Sequence, residues 1–134
     1  MEASAPIEPR PKSGVGLRWL APVAWGALIF WASHQPSLEL ELPFPHFDKL
    51  LHFGTYAVLG TLIRFALGTR GSRDLLIAWM LGTLYGLSDE FHQAFVPGRD
   101  ADLLDWAADC FGTLVGAYWG IRLLGRSKVD EVLL

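Results

Sequence analysis

The feature that most constrains this chain is the alternation of its basic residues between the connections of four apolar segments. No segment alternates like a strand, so each is predicted to be a helix, at about 17–33, 49–67, 74–95 and 103–124. Nine of the 11 basic residues lie at or before the start of the first segment, flank the link between the second and third, or lie at the end of the fourth: Arg10, Lys12, Arg18, Arg64, Arg70, Arg73, Arg122, Arg126 and Lys128. The remaining two basic residues, Lys49 and Arg99, lie on the side of the other two connections.

This asymmetry predicts an orientation, because basic residues in short connections stay in the cytoplasm during membrane insertion. A soluble four-helix bundle has no physical reason to sort its basic residues in this way. The composition agrees, since 19% of residues are charged against roughly 25% in soluble domains. Uncharged runs such as 75–88 are shorter than the ~20 residues of a typical span, so polar ends or snorkelling arginines must complete each span. We therefore predict an all-α polytopic membrane protein with four transmembrane helices and both termini in the cytoplasm (N-in/C-in).

Three regions follow from this pattern. Residues 1–16 contain several prolines and glycines and few large apolar groups, and are predicted to form a disordered cytoplasmic tail. Residues 17–124 form the four-helix domain, and 125–134 form a second cytoplasmic tail. The first helix resembles the start of a secretory signal, but Trp31 stands where cleavage requires a small residue. An uncleaved signal anchor is the preferred interpretation.

With that topology, polar residues from three helices arrive at the non-cytoplasmic end. Helical spacing places Lys49 and His52 on one face of the second helix, and Asp89 and Gln93 one turn apart on the third. Ionised groups cost at least ~2.5–3.5 kcal/mol in a bilayer centre, so they face the protein interior and pair. The candidate ligand-binding residues are Lys49, His52, Asp89, Glu90, Gln93, Arg99, Asp105 and Asp109.

Two interpretations of this group stay open. In a structural network, Arg99 and Lys49 pair with Asp89, Glu90 or Asp105, while Asp48 caps the second helix. In a ligand-binding or catalytic site, the same groups contact a bound molecule; we favour this because the titratable groups exceed what tethering requires.

The fourth helix carries small residues at every fourth position. Gly112, Gly116 and Gly120 continue the face of Asp105 and Asp109, and such spacing lets another helix approach closely. Packing within one chain is the preferred use, with a homodimer through these glycines as the alternative. Either use predicts that Asp109 faces protein.

At these residues the chain resembles the VanZ-like family of small bacterial membrane proteins. The resemblance covers about 19–124 and rests on three ordered blocks: Asp48-Lys49 with His52-Phe53 and Tyr56; Asp89-Glu90 with His92-Gln93; and Phe95 to Arg99 with Asp105, Gly112 and Gly116. It implies a multi-pass protein of the bacterial cytoplasmic membrane, and Asn where this chain has Asp109. The family is named for an accessory protein of teicoplanin resistance, and that role is not extended to this chain.

Three functions are compatible with these residues. The first is a non-enzymatic module that binds an envelope ligand, a lipid headgroup or a lipid-linked cell-wall component, with Arg99 and Lys49 on phosphate. The second is a metal-dependent hydrolase or transferase using His52 and neighbouring carboxylates, although the sequence requires no cofactor or metal. The third is proton-coupled transport of a small solute or lipid. The dispersed basic residues do not indicate nucleic-acid binding.

Overall fold

In the computed structural model, the described parts of the chain are residues 15–36, 44–68 and 71–132, without the side chains of 15, 121 and 123–132. Within these ranges the chain is helical and contains no strand, which confirms the all-α prediction. The helices are α1 (Val15–Arg18), α2 (Leu20–Ser33), α3 (Phe47–Leu67), α4 (Ser72–Gln93) and α5 (Leu103–Val132). Residues 1–14 of the predicted N-terminal tail lie outside the described ranges.

Helix boundaries differ from the prediction at a few places. The predicted first helix is divided at Trp19, whose backbone nevertheless keeps helical angles of φ −79° and ψ −14°. Helix α3 ends at Leu67 and is followed by Gly68, which has φ 80° and donates its N–H to the Arg64 carbonyl, the usual left-handed C-terminal cap. Helix α5 runs to Val132 rather than ending near 124, so most of the predicted C-terminal tail is helical.

The tightest packing joins α3 to α5, which run parallel although α4 lies between them in the chain. Gly112 lies against Phe53, Gly116 against Ala57 and Gly120 against Thr61. A methyl group on Gly112 or Gly116 would overlap a backbone carbonyl oxygen of α3. The glycine face therefore packs within one chain, as preferred from the sequence. A homodimer through this face stays a prediction, and its partner would have to replace α3.

Large apolar side chains remain exposed on the outer faces of the long helices. They include Trp31 on α2, Leu84 on α4, and Phe111 and Trp119 on α5. Among the described helices, α3 is the one whose length and apolar composition suffice by themselves for crossing a bilayer. Helix α2 has 14 residues, about 21 Å at 1.5 Å per residue. The four-span topology is therefore still a prediction.

Two separate groups of charged residues lie at the two ends of the helices. At one end, Lys49 near the start of α3 contacts Asp105 near the start of α5. At the other end, Arg64 near the end of α3 and Arg122 of α5 line one cavity with the first residues of α4. This arrangement brings the predicted polar residues of three helices to a common end.

Candidate functional site

Lys49 is the centre of an ionic cluster near the starts of α3 and α5. Its ammonium nitrogen lies 2.7 Å from the Asp48 carboxylate and 2.8 Å from Oδ1 of Asp105, and it also binds Asp102. The hydrogen bond from Lys49 lowers the pKa of Asp102, which lies in the connection before α5. One cation is thus shared by three carboxylates, and the surplus charge of this region is negative.

His52 and Asp109 lie about one helical turn further along α3 and α5 and contact each other. Nδ1 of His52 lies 2.9 Å from Oδ1 of Asp109, and Nε2 lies 4.0 Å from Oδ2 of Asp105. Asp109 is fully buried, at 0% exposure, which agrees with the prediction that it faces protein. Its second oxygen, Oδ2, has no hydrogen-bond partner among the described residues.

Glu90, on α4, lies close to His52 and Asp109. Its Oε2 accepts the backbone N–H of Asp102 at 2.8 Å, which fixes the carboxylate against the start of the α5 connection. Its Oε1 is buried and is likewise unpaired within the described part of the chain. Buried polar groups are nearly always paired in folded proteins, so these oxygens of Glu90 and Asp109 can each accept a hydrogen bond from a further group.

Three of these residues have the chemistry and spacing of metal ligands. His52, Glu90 and Asp109 each offer one donor atom, and the three atoms lie within 4.8 Å of one another. Two donors on one zinc ion are at most about 4.2 Å apart, twice a bond of ~2.1 Å. Small side-chain movements would therefore bring all three onto one ion.

Asp89 belongs to a neighbouring network rather than to the ionic cluster. Its Oδ2 accepts hydrogen bonds from Ser33 at 2.9 Å, from Gln93 at 3.3 Å and from Tyr56 at 3.4 Å. These donors are neutral and come from α2, α3 and α4. The Asp89 network (Ser33, Tyr56, Asp89 and Gln93) therefore ties three helices together beside the polar cluster (Lys49, His52, Glu90, Asp102, Asp105 and Asp109).

Arg99 lies at the end of α2, and its guanidinium donates to the carbonyls of Gln35 at 2.9 Å and Ala32 at 3.4 Å. The structural interpretation had paired it with Asp89, Glu90 or Asp105, and the structure pairs it with backbone oxygens instead. The physical reason is that carbonyls in the last turn of a helix and just beyond it have no partner in a following helical turn, so they attract donors.

The family comparison covers the region that contains all of these groups. The profile of the VanZ/LLP1 family matches residues 17–124. The chain belongs to the VanZ/LLP1 family. This confirms the resemblance to VanZ-like proteins and, with the apolar α3, suggests a membrane protein. No curated protein and no solved structure matches the chain significantly.

The structure of this VanZ/LLP1 protein adds residues that sequence reasoning did not select. Asp102 was not among the candidate residues, yet it binds Lys49 and its backbone N–H donates to Glu90. Ser33, the last residue of α2, was not selected, and no spacing rule connects it to Asp89. The predicted cap by Asp48 is wrong: α3 begins at Phe47 after His46, and Asp48 lies within the first turn and pairs with Lys49.

Proposed function

We propose that this protein crosses the bacterial cytoplasmic membrane four times, with both termini inside, and binds a lipid-linked envelope ligand or lipid headgroup at its outer polar cluster. Family membership and the apolar α3 support the membrane assignment. The exposed apolar residues of α2, α4 and α5 support lipid contact, because soluble monomers rarely expose large contiguous apolar surfaces. Residues 15–33, taken as one helical segment, reach about 28 Å, close to the ~30 Å of a bilayer core.

The topology has a direct test in intact cells. In a Cys110→Ser background, Asp100→Cys marks the connection before α5, and Arg73→Cys marks the opposite end. A membrane-impermeant maleimide is expected to label Asp100→Cys alone in intact cells and both variants after lysis. Labelling of Arg73→Cys alone in intact cells would reverse the orientation and remove the outer site.

The charge balance of the polar cluster defines the ligand chemistry. Lys49 is already engaged by three carboxylates, and Arg99 by backbone carbonyls, so neither supports a phosphate contact as first expected. The buried free oxygens of Glu90 and Asp109 are acceptors, and this observation carries the proposal. They favour the amine or hydroxyl groups of a headgroup or sugar, since charge-assisted hydrogen bonds are the stronger ones.

Two lipids with matched net charge test this chemistry. Phosphatidylethanolamine carries N–H donors, whereas phosphatidylcholine has none. We expect purified protein to retain the first at least about tenfold more tightly, the equivalent of one charge-assisted hydrogen bond. Glu90→Gln is expected to abolish the preference, while the exposed acid variant Asp100→Asn should keep it. Indifference to the headgroup, or a Glu90→Gln protein that behaves like the wild type, would count against the proposal.

A metal-dependent hydrolase or transferase is the second candidate, and the grouping of His52, Glu90 and Asp109 favours it. One nitrogen and two carboxylate oxygens suit Zn²⁺ or Mn²⁺, and three protein ligands leave a position open for water or substrate. A metal would also occupy the free oxygens of Glu90 and Asp109.

Elemental analysis after dialysis against Zn²⁺ or Mn²⁺ separates this candidate from simple ligand binding. We expect one equivalent of metal in the wild type and in Asp100→Asn, and much less in His52→Ala and Glu90→Gln. A wild-type protein that binds no stoichiometric metal would leave only the non-enzymatic proposal.

A further inference from the structure

The cavity lined by Arg64 and Arg122 lies at the opposite end of the helices from the polar cluster. It has a volume of about 430 Å³ and opens between α3, α4 and α5. It is lined by Arg64, Gly71, Ser72, Leu75, Ala117, Tyr118 and Arg122. None of these residues belongs to the polar cluster.

Arg64 is the unusual member of this cavity. Only 3% of its surface is exposed, and Nη2 donates to the Gly71 carbonyl at 2.7 Å. The other donor groups, Nε and Nη1, are buried and have no partner in the described structure. A guanidinium stays charged in proteins, so burying two of its donor nitrogens without acceptors is costly. The arrangement calls for an acceptor that Arg64 can bind.

Two further positive groups face the same space. Helix α4 has 22 residues and begins beside the cavity at Ser72, and no side chain caps its N-terminus. Its first N–H groups and its dipole therefore favour an anion there. At the rim, the exposed Arg122 packs its guanidinium on the Tyr118 ring, with 4.3 Å to the centroid.

Asp74 is an acidic residue close to these positive groups, and its negative charge opposes theirs. It lies in the first turn of α4 and acts electrostatically on Arg64. It does not, however, hydrogen-bond Nε or Nη1 of Arg64. Among the described side chains, two arginines and a helix N-terminus thus oppose one carboxylate, and the cavity favours an anion.

We infer that this cavity binds a phosphate group, with Arg64 as its buried anchor and Arg122 as its rim contact. The planar guanidinium fork matches two phosphate oxygens, and α4 amides supply further donors. The phosphate can belong to an anionic lipid headgroup of the adjacent leaflet or to a soluble phosphate ester, because the contacts are the same for both.

Phosphatidic acid and diacylglycerol test the inference, because they differ only in the phosphate. Thermal unfolding of the full chain in detergent is expected to shift upward with phosphatidic acid and to stay unchanged with diacylglycerol. Inorganic phosphate is the third probe: competition with phosphatidic acid assigns a soluble source, and failure to compete assigns the lipid headgroup. Equal effects of phosphatidic acid and diacylglycerol would overturn the inference.

Variants of three arginines distinguish specific phosphate binding in the cavity from non-specific electrostatic attraction to this end of the protein. Arg122→Gln is expected to weaken phosphatidic acid binding about fivefold, less than the roughly tenfold of a buried charge-assisted hydrogen bond, because Arg122 is exposed at the rim. Arg64→Lys keeps the charge but loses the fork, and should weaken binding at least as much while still unfolding cooperatively. Arg73→Gln removes one exposed charge at the same end, outside the cavity wall, and should change binding less than about twofold because salt screens it.

Equal losses in Arg73→Gln and Arg122→Gln would overturn the inference, and so would full binding by a folded Arg64→Lys protein. Glu90→Gln, at the other end, should leave phosphatidic acid binding unchanged. Failure of this site is therefore distinguishable from failure of the outer polar cluster.

Discussion

Replacing Gly116 by alanine is expected to separate α3 from α5. An added Cβ would lie 2.6 Å from the carbonyl carbon of Ala57 and would overlap the carbonyl oxygen. Ordinary carbon contacts begin near 3.4 Å, so the helices must move apart by at least about 0.8 Å at this point. Backbone atoms cannot rotate away as a flexible side chain can. The cost therefore falls on the packing of the whole helix pair.

The magnitude follows from a comparison with Gly54→Ala in α3. A Cβ on Gly54 meets nothing within 4 Å, so that variant gains only the helix preference of alanine, about 1 kcal/mol. Gly116→Ala gains the same preference but adds overpacking, typically ~1–3 kcal/mol. The preference cancels in the difference between the two variants. Gly116→Ala should thus be about 1–3 kcal/mol less stable than Gly54→Ala.

Equilibrium unfolding in mixed micelles, followed by the fluorescence of the six tryptophans, provides the measurement. Gly54→Ala should be at least as stable as the wild type, and Gly116→Ala should be less stable than Gly54→Ala. If the two variants unfold within about 0.5 kcal/mol of each other, the ordinary scatter of neutral surface changes, the close packing of α3 and α5 is refuted.

Three other changes test individual contacts. Lys49→Met should cost about 2 kcal/mol of unfolding free energy, less than the ~3–5 kcal/mol of a fully buried pair because the lysine side chain is 20% exposed; an unchanged unfolding midpoint would contradict this. Tyr85→Phe removes a hydrogen bond of 2.6 Å to the Gly26 carbonyl and should cost ~0.5–1.5 kcal/mol in the same assay. Asp102 has a pKa below its usual 3.8, so its stabilising pair with Lys49 is complete above pH 3.8 and is lost as pH falls through the lowered pKa. The stability gap between wild type and Asp102→Asn should close over that acidic range, and a gap independent of pH would exclude the ion pair.

Much of the helix arrangement was accessible from sequence because it depends on short-range rules. Glycines at every fourth position predicted the close face of α5, and continuing that face placed Asp109 inside the protein. The contact of Lys49 with Asp105 was one of three pairings that the structural interpretation allowed, since both residues lie in the first turns of helices that begin at the same end. The direction of each helix was sufficient for these predictions.

The contacts made by connections were not accessible in the same way. The direction of Arg99 depends on the turn at Gly98, where φ is 76°, and on how that turn lies over the end of α2. The role of Asp102 depends on its backbone N–H as well as its carboxylate, and no residue pattern specifies both. The cavity around Arg64 needs three helices at known distances, which spacing along one helix does not provide.

The pairing of α3 with α5 also determines the order in which the protein can mature. A ribosome completes α3 before it has made α5, and at ~5–20 residues per second the delay lasts a few seconds. During that interval His52 has no Asp109 to contact, and Lys49 has no Asp105. The newly made α3 must therefore wait in an incompletely paired state, and the last helix to emerge is the one that closes the assembly.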